Sequence, residues 1–165
     1  MRVLAALLLV FSTHAVASDV MALLQGYEWK VPSDPLPIAN AEQALIDISS
    51  DPGQPNFIRA RASAVLTLYP SEKVWDFFVG QVASPSNKVT LRRTVDGLCA
   101  TFVASKASDV QKLLMPLLSA EDAHLRVRVA KCLKRIDSEE AKTALSTYRS
   151  GIGEGWELDA SVLPQ

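Results

Sequence analysis

Cys99, Cys132 and His124 are the residue types from which nucleophilic and metal chemistry is most often built, yet their setting offers little of either. A Ser/His/acid triad would need His124 as its base, and His124 stands two residues after Asp122 at a turn, where capping or solvent exposure suits it better. Zinc asks for three or four ligands at suitable spacing, which Cys99, Cys132 and His124 lack, so no metal is expected. The glycines of Gly151-Ile152-Gly153-Glu154-Gly155 follow a helical pattern instead of joining a strand to a helix, so they make no phosphate loop, and no cofactor is expected. The acid pairs Glu121-Asp122 and Glu139-Glu140 open helical stretches, where the helix dipole favours negative charge. No catalytic residue is assigned.

The basic residues point instead to binding. Arg128, Lys131 and Arg135 recur at helical spacing opposite an apolar stripe, with Lys134 alongside. The aligned positions of two earlier stretches are Thr94, Gly97 and Thr101, then Arg61, Ala64 and Leu68. Together they describe a surface with small residues in its middle and positive charge at its C-terminal end, suited to steering an acidic protein segment. Its candidate contacts are Arg61, Thr94, Arg128, Lys131 and Arg135. The plain alternative is a solvated face.

These residues require helices in a repeated order. From Ile58, Leu91 and Leu125, apolar side chains fall at +4, +7, +8 and +11, and the second residue of each stretch is Arg59, Arg92 or Arg126. The period is 33 and then 34 residues. Between these stretches lie companion stripes: Ala41, Ala44, Leu45, Ile48; Val74, Phe77, Phe78 and then an irregular Gln81; Val110, Leu113, Leu114, Leu117; Ala141, Ala144, Leu145, Tyr148. Each follows one helix face. Turn residues separate the helices at Asp51 to Pro55, Ser84 to Asn87 and Glu121-Asp122, with Ser71 expected to cap one helix and Asp137 with Glu140 to form a capping box on another. The expectation is seven helices between Ala41 and Ser150, all-α, stacked as a short α-solenoid of about three helix pairs plus a terminal capping helix.

Outside that region, Met1-Arg2, the apolar run Val3 to Phe11 and Ala15-Val16-Ala17 (residues 15–17 reading Ala, Val, Ala) have the order of a secretory signal, so residues 1–17 are expected to be removed and the protein exported, periplasmic or extracellular. Residues 18–40 read as a short helix, with Val20, Leu23 and Leu24 on one side, followed by a proline-rich extended arm that Tyr27 and Trp29 pin down. Residues 151–165, with Trp156 and Pro164, read as an irregular tail. No later run approaches the about 20 apolar residues of a membrane helix, so no membrane insertion is expected once the signal is gone. Removing Arg2 from the seventeen basic residues leaves sixteen against eighteen acidic ones. That balance disfavours nucleic acid as a partner.

The hydrophobic-Arg steps Ile58-Arg59, Leu91-Arg92 and Leu125-Arg126, with the small and branched residues that follow them, resemble HEAT repeats of the short bacterial, phycobilisome-lyase-like kind over roughly residues 41–150. Gly97, inside its helix, is a departure that costs about 1 kcal/mol relative to alanine. The resemblance implies a curved protein-binding scaffold and supplies no catalytic residues. It also implies that Arg59, Arg92 and Arg126 pair with acids or carbonyls between units, in preference to forming an anion ladder. Two other functions stay open: a structural subunit of an envelope complex, and an enzyme of the lyase or isomerase type. Cys99 and Cys132 stand one residue out of register in successive repeats, which favours buried thiols over a bridge, although export would permit one.

Overall fold

Apolar stripes at helical spacing become helices throughout a computed structural model, which describes residues 16–152. Among the described residues there is no strand. Helix α1 covers 16–24, and α2 (Ala41–Ser50), α3 (Asn56–Leu66), α4 (Glu72–Ala83), α5 (Lys88–Leu114), α6 (Ala123–Leu133) and α7 (Glu139–Ser150) follow, with a 3-10 turn at Met115–Ser119. Lys106, at φ −134° and ψ 37°, breaks α5 in two. Counting its halves separately gives the seven expected segments. Among the described residues no helix is long and apolar enough to cross a membrane. The expected signal, apart from its last two residues, and the tail beyond Ile152 lie outside the described residues. The chain divides into two compact units between Val74 and Trp75.

In the first unit, Ala41, Ala44, Leu45 and Ile48 of α2 are buried, as are Ile58, Ala62, Val65 and Leu66 of α3, and the two helices pack together. Each large side chain removed from water in this way contributes about 1.5–3 kcal/mol. Arg59 donates from Nε to the Ser49 carbonyl at 3.0 Å, tying the start of α3 to the end of α2. Ser71 caps α4 by accepting from the Val74 N–H at 3.2 Å, and its hydroxyl donates to Glu42 at 2.8 Å. The arm is held by the Leu36 N–H donating to Tyr69 Oη at 2.7 Å and by Arg61 lying over the Trp29 ring. Tyr27 plays no part, being fully exposed, and Leu23 is also exposed while Val20 and Leu24 are buried. α1 buries a narrower stripe than expected.

In the second unit, Val95, Leu98, Cys99 and Phe102 of α5 and Leu125, Val129, Cys132 and Leu133 of α6 are buried. Phe102 meets the edges of Trp75 and Phe78, with centroids 5.2 and 6.5 Å away. Gly97 is here a fitting residue instead of a defect: a Cβ at this position would lie 2.7 Å from Phe78 Cζ. The helix accepts the cost of glycine because the Phe78 ring occupies the space a side chain would need. Val127, Ala130 and Tyr148 join α6 to α7, flanked by Leu118 and Leu145. α7 is capped by Ser138, which accepts from the Ala141 N–H at 3.0 Å. Asp137, the expected cap, pairs with Lys142 at 2.8 Å.

Candidate functional site

The site is built on α6, whose register is set at its first turn. Asp122 accepts from the His124 N–H at 3.1 Å, and so caps the helix. With Leu125, Val129, Cys132 and Leu133 buried, Arg128 and Lys131 come out on the adjoining flank of α6, and Arg135 continues that flank just past the helix end at Leu133. These three cations border a surface pocket of about 390 Å³. His124, Val127 and Cys132 complete its α6 side, and Asp96 and Cys99 come from α5.

Inside the pocket, polar groups pair across the two helices. Arg128 donates to the Asp96 carboxylate, with the arginine side chain 41% and the aspartate side chain 49% exposed, so the pair is a solvated one worth little to stability. Partial burial raises the Asp96 carboxyl above its ordinary range, against the pull of Arg128, Arg93 and Lys131. Arg135 Nη1 reaches Cys99 Sγ at 3.3 Å. Cys99 and Cys132 are both buried and free, and both line this pocket. The neighbouring Cys132 thiol, then Arg135, brings the Cys99 thiol down to about 7 while burial and Asp96 oppose it; Cys132 is pushed up by Cys99 and by burial.

Of the five binding candidates, three meet here and two do not. Thr94 is only 2% exposed, and its hydroxyl turns back to the Thr90 carbonyl at 3.0 Å. With Gly97 also buried, the small-residue middle of the anticipated surface is core, because α5 turns this side toward α4 instead of toward solvent. Arg61 lies in the first unit and is spent on structure: Nη1 donates to the Leu24 and Gly26 carbonyls at 2.6 and 2.9 Å. The repeated arginines follow the expected pairing between units only in part: Arg59 bonds the Ser49 carbonyl within its own helix pair, and Arg126 donates to the loop before its own helix. Arg92 holds Asp122, and Arg126, 4% exposed, donates to the carbonyls of Ala120 and Glu121 at 2.7 and 3.0 Å.

His124 is exposed and lines the pocket. Among the described residues, no group of three or more His, Cys, Asp or Glu is placed to hold a metal ion. A larger pocket of about 800 Å³ lies between the 3-10 turn and α7, but its charged lining is Glu139 and Glu140 alone and it includes none of the five binding candidates. The member that sequence reasoning missed is Asp96. It stands 32 positions before Arg128, about one repeat away, and that spacing was the available signal. No family model, curated protein or solved structure matches this chain.

Proposed function

We propose that this chain is a noncatalytic binding module, exported and built as a short α-solenoid of HEAT-like helix pairs, and that it takes an acidic protein segment on the α6 face. The alternation of helical segments with an arginine near the start of α3, α5 and α6 supports the repeat reading. One observation carries the function: Arg128, Lys131 and Arg135 border a single pocket in which Asp96 is the one acidic side chain. Such a site attracts carboxylates over the distance that screening allows, about 8 Å at physiological salt. Arg61 and Thr94 are left out of the surface for the reasons given above.

The test is fluorescence anisotropy with a labelled glutamate-rich peptide, comparing the native protein with Arg128→Glu/Lys131→Glu/Arg135→Glu. Binding that weakens with salt and is lost in the variant supports the proposal. Equal binding by both proteins, or none by either, rejects it. A structural-subunit role has its own observation, the exposure of Leu23, Tyr27, Val31 and Phe57 in the first unit. Concentration-dependent self-association that Phe57→Ser abolishes would favour that reading.

A further inference from the structure

The pocket on α6 also brings together the two most nucleophilic side chains of the described residues. Cys99 and Cys132 both line it, neither is bridged, and Arg135 Nη1 stands 3.3 Å from the Cys99 sulfur. A thiol attacks as its thiolate, which an adjacent cation and a donated hydrogen bond both favour. Cys99 has the cation in Arg135, and the Cys132 thiol beside it in the same pocket. Cys132 is the deeper of the two, 1% exposed against 7% for Cys99.

We propose that Cys99 and Cys132 form a thiol–disulfide exchange site for small anionic disulfides, with Cys99 the attacking sulfur and Cys132 the resolving one. In the first step the Cys99 thiolate attacks one sulfur of the small disulfide. A mixed disulfide forms as the S–S bond of the small molecule breaks, and half of that molecule leaves as a thiolate that takes up a proton. Cys132 then gives its proton to solvent and attacks Cys99 Sγ, closing the protein disulfide and releasing the second half, which is likewise protonated. Two electrons pass from the protein dithiol to the small disulfide, which becomes two thiols.

The preference for an anionic reactant follows from Arg128, Lys131 and Arg135 at the rim. The groups facing Cys99 are Arg135, Lys131, Arg128, His124 and Cys132 on the α6 side and Asp96 on α5, with Arg93 next to Asp96. Among them Cys132 and then Arg135 lower the thiol to about 7, while burial and Asp96 oppose. This inference is independent of any protein partner, so failure of peptide binding would leave it standing.

The experiment incubates the reduced full chain with oxidised glutathione, quenches in acid, alkylates, and maps the peptides by mass spectrometry, beside Cys132→Ala, Cys99→Ala and Arg135→Gln. A Cys99–Cys132 bridge is expected in the native protein, and a mixed disulfide held on Cys99 in Cys132→Ala. Cys99 should lose reactivity as pH falls, with a midpoint near pH 7, and the midpoint should move upward in Arg135→Gln. Cystamine, a cationic disulfide, should react several-fold more slowly. Unreacted thiols in the folded native protein, a first adduct on Cys132, or equal rates with cystamine would overturn the proposal. Because Arg135 is exposed, its variant keeps the test informative if a cysteine variant does not fold.

Discussion

Arg92 on α5 grips both carboxylate oxygens of Asp122, with Nε 2.6 Å from Oδ2 and Nη2 2.7 Å from Oδ1. Asp122 is also the N-cap of α6, so one side chain fixes where the site-bearing helix starts and joins it to the helix before. The bond from Arg92 holds the Asp122 carboxyl below its ordinary range.

Asp122→Ala should therefore destabilise the protein by about 2 kcal/mol, combining a lost cap with a lost charge-assisted pair. Urea denaturation checks the value. A carboxyl with a lowered folded pKa contributes fully above the unfolded value of about 3.9, and its contribution fades as pH falls through the folded value. Asp122→Asn should accordingly show a shallower loss of stability below about pH 4 than the native protein.

Gly97→Ala should cost about 1–3 kcal/mol, although alanine is intrinsically the better helix former by about 1 kcal/mol. The added methyl meets the Phe78 ring, which is itself fully buried. Phe78→Leu in the same background should recover part of the loss. Additive effects in a double-mutant cycle would show that the contact is not the cause.

Leu98→Ala removes a fully buried side chain from the centre of the second unit and should cost roughly 2–5 kcal/mol. An unchanged denaturation midpoint would contradict that burial.

Arg61→Ala should free the arm without unfolding α2 and α3, since its guanidinium binds the Leu24 and Gly26 carbonyls and covers Trp29. The expected readout is faster tryptic cleavage after Lys30 at an unchanged circular dichroism spectrum.

The helices were legible because burial imposes a 3.6-residue period that survives in the sequence. The stripes of α2 and α6 are buried at each position anticipated: Ala41, Ala44, Leu45 and Ile48, then Leu125, Val129, Cys132 and Leu133. What the period does not encode is which polar residue meets which. Ser138 holds the cap and Asp137, one residue earlier, pairs with Lys142, and α5 bends at Lys106 with no proline or glycine to mark it. At the site, Arg128, Lys131 and Arg135 could be read from one helix. Asp96 is marked in the sequence only by standing about one repeat before Arg128, while the burial of Thr94 and the contact of Arg135 with Cys99 depend on how α5 turns against its neighbours.

The location of binding is the central claim, and amide chemical-shift mapping tests it most directly. Titration of the isotope-labelled protein with a glutamate-rich peptide should move the resonances of Cys99, His124, Lys131 and Arg135 together and reversibly with salt, leaving those of α2 and α3 in place. Shifts centred on the first unit or on the pocket beside α7, or no shifts at saturating peptide, would contradict it.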